Sequence, residues 1–271
     1  MTPLMLCTAS LFFVDTAHAE GEIRVGVPEP SGIDIDRAGE RVFVVDDGGE
    51  LWVFDTDFER QAVFDLGGDL EGVAYLPRQD QLLVAVEGDE QLLRVDPSTG
   101  AIEQVYDVPR TFRGQTVLAA GGNGIETLTA VGSRLFVANQ AFDDRDAEDA
   151  SVLVELAFGV SGSLRIVDVH ALPMMDVAGS FYSARSGELT LVSDAEDALY
   201  SIRLDALDAV PTGADLRLQA FTSTWVPGED QEGICVIDGQ LVIAQDSGNL
   251  YDAGPLDALW DTWASPWGPL P

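Results

Sequence analysis

Seven acidic side chains stand at recurring points of this chain, and their types and spacing suit one kind of chemistry. Glu71, Glu126 and Glu232 each open a short apolar stretch, and Asp47, Glu87, Asp194 and Asp246 each close the stretch that follows. From Glu71 to Glu87 the spacing is 16 positions, and from Glu232 to Asp246 it is 14. Three more copies carry an acid at one end only: Ser31 to Asp47, Glu126 to Gln140 and Ala178 to Asp194, with spacings of 16, 14 and 16. Carboxylates gathered at one place repel one another, so some must take up a proton, pair with arginine or bind a cation. Oxygen ligands without histidine or cysteine suit a hard cation, Ca²⁺ before Mg²⁺. Arg110 and Arg113 are the candidate arginine partners.

The stretches between these acids are predicted hairpins. In DLEGVAYLPRQDQLLVAVE the strand that starts near Glu71 turns at residues 77–80 and returns as QLLVAV to Glu87. An antiparallel pair brings the chain back to the end it left, so the opening and closing residues meet. The 14-residue copies lack two residues at the turn. An even change keeps every side chain on its own face of the sheet. The recurrence is therefore a structural repeat.

Each hairpin is followed by further β-rich runs separated by turn residues, as in RVFVVD, ELWVFD and ERQAVFDL of the first copy. Four-stranded repeats at intervals of about 40 to 55 residues predict an all-β chain folded as one β-propeller. Five repeats give five blades, with six as the alternative. The fifth repeat has two clear strands, a poorer third around residues 248–251 and no fourth. The strand IRVGV at residues 23–27 is expected to supply the missing one and close the ring, which removes both free edges. In a propeller the first strand of each blade lines the axis. All seven acids should then face one mouth of the axial channel, with Gln140 where another acid would fall. The competing reading is that they cap turns and accept backbone N–H groups between blades.

Composition excludes several functions. The chain has 271 residues, a formal net charge of −33 and 14 bases, all of them arginine. Without lysine there is no Schiff-base chemistry. Without clustered positive charge a nucleic-acid partner is not expected. Residues 1–19 resemble a secretory signal, with an apolar run over residues 4–14 and Ala17-His18-Ala19 as a cleavage pattern. That leaves residues 20–271 as the propeller, exported to the periplasm, cell surface or medium, with no transmembrane segment and a monomer expected. Of the cysteines only Cys235 remains, in the apolar stretch GICVI, where it reads as a small buried hydrophobe. His170 is the single histidine left, so a histidine-rich zinc site is excluded by count. A serine triad would need His170, and no G-x-S-x-G elbow accompanies it. The acidic stretch FDDRDAEDA places Asp144, Asp146 and Glu148 at calcium-loop spacing with Glu155 beyond, but Asp149 stands where such a loop needs glycine, so it reads as a solvated loop. The tail LWDTWASPWGPLP, with Trp260, Trp263 and Trp267, is expected to pack on the domain.

DLEGVAY with LLVAVEGDEQLLRV, GNGIETL with RLFVANQ, MMDVAGSFYSARSGELTLVSDAEDALYSI and DQEGICVIDGQLVIAQDSGNLY together resemble the SdiA-regulated (YjiK-like) family of exported bacterial β-propellers. The likeness runs in order over nearly all of residues 20–271. It departs at Gln140, Thr127, Asp246 and Ala178, where the family has Glu, Gly, Glu and a small polar residue. The resemblance implies a propeller, export and a bound calcium, without settling an activity. A more distant likeness runs to phytase-like esterases and gluconolactonase-type propellers.

Two functions follow. The first is a non-enzymatic exported binding module, whose acidic axial face takes a small molecule or surface partner and is held together by Ca²⁺. The alternative is a metal-dependent hydrolase of a lactone, ester or phosphate ester, with Glu71, Glu126 or Glu232 ligating the ion or acting as base. A phosphate ester is the least suited substrate, because few arginines stand ready to offset the acids.

Overall fold

The computed structural model describes residues 21–36, 38–118, 124–140, 151–213, 216, 221–226 and 230–256. The expected signal segment, the acidic loop of residues 142–150 and the tryptophan tail lie outside these residues. Twenty of the strands form five four-stranded antiparallel sheets arranged as the blades of a β-propeller. Blade 1 is β2 (Pro30–Ile35), β3 (Val42–Asp46), β4 (Glu50–Phe54) and β5 (Arg60–Asp65). Blade 2 is β6 (Asp69–Leu76), β7 (Gln81–Glu87), β8 (Gln91–Val95) and β9 (Ile102–Asp107). A small hairpin, β10 (Thr111–Phe112) and β11 (Gln115–Thr116), precedes blade 3, which is β12 (Ile125–Val131), β13 (Arg134–Asn139), β14 (Val152–Phe158) and β15 (Leu164–Ala171). Blade 4 is β16 (Val177–Ser183), β17 (Glu188–Ser193), β18 (Ala198–Arg203) and β19 (Thr222–Trp225). Blade 5 is β20 (Gln231–Ile237), β21 (Gln240–Gln245), β22 (Asn249–Pro255) and, from the other end of the chain, β1 (Gly21–Ile23).

The ring closes as the sequence requires, but three residues do it. β1 pairs antiparallel with β22 through Gly21, Glu22 and Ile23. The strand ends at Ile23, so it shares only that residue with the expected 23–27, and Gly26 three positions on takes a φ of +71°. Ile23, Val25 and Val27 still bury themselves between blades 5 and 1. The fourth strand of blade 4 covers Thr222–Trp225, and residues 217–220 before it lie outside the described residues. A one-turn helix, α1 (Leu204–Asp208), follows β18, and Leu216 packs into the core between blades 3 and 4.

The core is five clusters, one at each interface between neighbouring blades. The second strand of a blade feeds both of its neighbours. Along β7, Leu82, Val84 and Val86 face blade 1, while Leu83 and Ala85 face blade 3. That two-sided burial is why these strands read as unbroken apolar runs and not as alternating patterns.

At the axis the first strands meet backbone to backbone. A Cβ on Gly32 would lie 2.6 Å from the Glu71 carbonyl oxygen, one on Gly72 2.7 Å from the Leu128 nitrogen, and one on Gly233 2.6 Å from the Ser31 carbonyl oxygen. Gly179 meets the Glu232 carbonyl in the same way. Blade 3 alone has a side chain here. The Thr127 hydroxyl turns back on its own blade and accepts the Ala138 N–H at 3.1 Å. These residues form a waist whose free volume, about 10 Å³, is close to that of a single water. Gly179→Ala should therefore overpack the waist and cost about 1–3 kcal/mol, readable as a lowered urea midpoint with an unchanged slope.

Candidate functional site

A single irregularity, repeated in each blade, aims the opening residues. The pairing of first and second strands skips Ser31 in blade 1, Glu71 and Gly72 in blade 2, Glu126 in blade 3, Ala178 in blade 4, and Glu232 and Gly233 in blade 5. Each skip is a β-bulge, which turns the extra residue out of the ladder. The waist glycine (Thr127 in blade 3) follows directly. The bulged side chain cannot enter the waist and points into the mouth above it.

All seven acids named from the sequence line that mouth, with Gln140 and Ala178 among them. The cavity they enclose measures about 270 Å³. Two further acids line it, Asp69 and Asp176, which sequence reasoning passed over as site residues. The signal was there. Each precedes an opening residue by two positions, which places both side chains on one face of a strand. Among the described residues no basic side chain lines the mouth. Neither Arg110 nor Arg113 is the partner considered above: Arg110 acts on Glu90, outside the mouth, and Arg113 lies over the Phe112 ring. Glu155, the outlying member of the calcium-loop pattern, is held by both forks of Arg134 at 2.8 Å. Cys235 is buried, as expected of a small hydrophobe.

The turn-capping reading holds for neighbouring residues and for part of the set. The residue before the closing position makes the cap. Asp46 accepts the Glu50 N–H and the Trp52 indole N–H, each at 2.9 Å, and Asn139 accepts the Val152 N–H at 2.6 Å. Alternation along the strand then leaves the next residue to the mouth. Among the closing acids, Glu87 accepts the Gly124 N–H at 2.9 Å and Asp194 the Gln231 N–H at 2.7 Å, each stitching one blade to the next. Asp47 accepts the Ser31 hydroxyl.

The opening glutamates are different. Glu71 and Glu126 bond to other carboxyl groups, linking Asp69 to Glu71, Glu71 to Glu126 and Glu126 to Glu87, while Glu232 feels the charges of Glu71, Asp194, Asp246 and Asp47. Such a row exists only if protons lie within it. Burial, followed by the charges of their neighbours, pushes Glu71 and Glu126 far above the ordinary carboxylate range. The same causes raise Glu232 to about 9. Asp47, Asp69 and Asp194 are raised too, burial again being the largest cause.

The donor set fits a hard cation. One oxygen each of Asp47, Asp69 and Glu71 lies within 4.8 Å of the other two. Oxygens on opposite sides of a Ca²⁺ ion are at most about 5 Å apart, and around Mg²⁺ about 4 Å. A separation of no more than 4.8 Å is compatible with a shared hard cation.

A β-propeller with an all-carboxylate axial mouth is the class that fold and site define. The family model described as phytase-like, with the esterase-like activity of phytase, matches residues 25–179, which is more than half of the chain. The chain belongs to this phytase-like family. No curated protein matches it. Among solved structures it is similar to Myxococcus xanthus glutaminyl cyclase (TM-score 0.55, 12% identity, covering 87% of this chain and 94% of that one). It is also similar to a luciferin-regenerating enzyme (TM-score 0.54, 10% identity, covering 83% and 73%). At such identities the likeness is one of fold.

The raised carboxyls set the pH dependence of the metal-free chain. The unfolded chain releases these protons near pH 4.5, whereas folded Glu232 keeps its own until about 9. Between those values the folded state binds more protons, so stability falls as pH rises. In chelator the unfolding temperature should be highest near pH 5 and fall steadily towards pH 9, and the fall should flatten in Glu126→Gln. Thermal melts at one ionic strength across this range check it.

Proposed function

We propose that this protein is a calcium-dependent hydrolase of carboxylic esters or lactones that works at the axial mouth. The observation carrying this reading is that Glu71, Glu126 and Glu232 converge on one cavity, with Glu71 and Glu126 bonded to other carboxyl groups and Glu232 coupled to Glu71 by charge. The family supports it through its described esterase-like activity.

Asp47, Asp69 and Glu71 would hold the ion. Bound there, calcium supplies polarisation of the ester carbonyl. The chain's own residues supply the proton handling. Ester hydrolysis needs a base to take a proton from water and an acid to give one to the departing oxygen. Glu126, the carboxyl pushed furthest towards its acid form, is the proton donor. Glu232, from the neighbouring arc of the ring, retains a proton at neutral pH when the mouth holds no cation. A cation of charge +2 beside it favours the ionised form and makes it the base. A phosphate ester meets a mouth with no basic residue among the described ones, so a neutral acyl substrate is the better match.

The second reading is the binding module, in which calcium is structural and the mouth receives a ligand without turning it over. The size of the mouth favours it: about 270 Å³ is small for a substrate pocket. The resemblance to the SdiA-regulated propellers and the signal-like first residues support export in either case. Among the described residues no helix is long and apolar enough to cross a membrane.

With chelator replaced by micromolar Ca²⁺, the unfolding temperature should rise well beyond the effect of matched NaCl, and the rise should shrink in Glu71→Gln. At pH 7 binding should displace protons from the carboxyl row. Titration calorimetry in two buffers of different ionisation heat should give at least one proton released per ion. Hydrolysis of p-nitrophenyl acetate or a simple aryl lactone should require Ca²⁺ and drop at least 100-fold in Glu126→Gln. A calcium response without turnover of any acyl substrate would favour the binding module, and no calcium response would sink both.

A further inference from the structure

Below the waist the channel opens again into a larger cavity of about 580 Å³, within the size range of small-molecule sites. It runs from the middle of the first strands to the turns that end β16 and β20, so it belongs to the end of the ring away from the acidic mouth. The waist between them is too narrow to connect the two. Its walls are mainly apolar, with Leu128, Phe181 and Val236 inside and Leu256 towards the turns.

One carboxyl group stands deep in this space, with the buried Cys235 thiol on the same cavity. Asp34, in the middle of the ring, accepts the N–H of its neighbour Ile35 and that of Tyr75 from blade 2, both at 2.7 Å, one on each carboxylate oxygen. A carboxylate offers about four acceptor positions, so two remain after those bonds. Part of the Asp34 surface is bare, and it is bare towards the cavity. Across the channel the Thr129 and Ser180 hydroxyls, 2.7 Å apart, add a second polar point. Arg185 and Glu188 stand on the turn side as a pair of opposite charges. Apolar walls around one buried carboxylate, on a chain of net charge −33, match an occupant that is apolar in body and positive at one end.

We propose that this cavity is a second ligand site, which takes a small organic ammonium ion with its apolar part against Leu128, Phe181 and Val236 and its N–H groups on Asp34. Burial already pushes the Asp34 carboxyl up to about 6, and an ammonium group beside it would restore the full charge. The site is independent of the acyl chemistry above the waist and stands or falls without it.

Phenethylamine is a suitable probe, with 2-phenylethanol and 3-phenylpropionate as neutral and anionic counterparts. Calorimetry or saturation-transfer NMR on the full chain should find the amine binding at least tenfold more tightly than the alcohol, and the acid not at all. Asp34→Asn should weaken the amine at least tenfold. That variant leaves one amide without its acceptor and is open to misfolding, so Ser180→Phe provides a second test. It fills the cavity and leaves Asp34 intact, and it too should weaken the amine at least tenfold while keeping the wild-type unfolding temperature response to Ca²⁺. Amine affinity should be the same in calcium and in chelator. Equal binding of amine and alcohol, unchanged affinity in Ser180→Phe, or displacement of the amine by calcium would each overturn the proposal. The last would place the amine at the acidic mouth.

Discussion

Five inner strands meeting backbone to backbone around one axis is the constraint on which everything else in this molecule rests. A ring of only five blades has little room at its centre. Gly32, Gly72, Gly179 and Gly233 occupy it because a single methyl group would collide with the next strand's carbonyl or amide. The side chain next to the waist must then go elsewhere, and the bulge sends it upward. The acidic mouth is thus a by-product of tight closure as much as a device for chemistry. The Glu-Gly pairs are two answers to one steric problem: glycine fits the gap, and the glutamate before it is displaced into the only open space.

That arrangement stores electrostatic tension. Among the described residues nine carboxyl groups and no base line the mouth, and they lie in surroundings that penalise charge. Described arginines are engaged elsewhere. Arg41, for example, ties Asp36 to Asp80 across blades 1 and 2 and lies over the rings of Phe43 and Tyr75. Closing and opening acids divide the labour. Glu87 and Asp194 each give an oxygen to an amide of the following blade, while Glu71 and Glu126 bond to other carboxyl groups.

Much of this was legible in the amino-acid order because the strands that matter most are buried on both sides. QLLVAV and RLFVAN announce themselves as uninterrupted apolar runs, and the parity of the spacings fixed which residues share the mouth. The two-residue turns of the short copies appear as Val131 paired with Arg134 and Ile237 with Gln240. What stayed hidden depends on contacts between distant segments. The bulges leave no mark in an apolar pattern. The closing strand stops at Ile23, where its pairing with β22 ends, and Leu216 is drawn into a core that only the assembled ring provides. Asp69 and Asp176 were visible at the starts of repeats but were not read as site residues. The lower cavity is formed by side chains from all five blades and has no local signature at all.

The pairing of Glu22 with Tyr251 has a consequence for how the molecule comes into being. β1 is made before every other strand of the ring, and its partner is made some 230 residues later. Until then the two end blades of the stack each keep one bare apolar flank, and the waist has no fifth side. Closing so long a loop is entropically slow, and contacts of such span are those that delay folding. The ring therefore has a built-in order of events. Blades can stack in sequence as they are made, but the axial mouth and the cavity beneath it come into existence together, at the moment the clasp shuts.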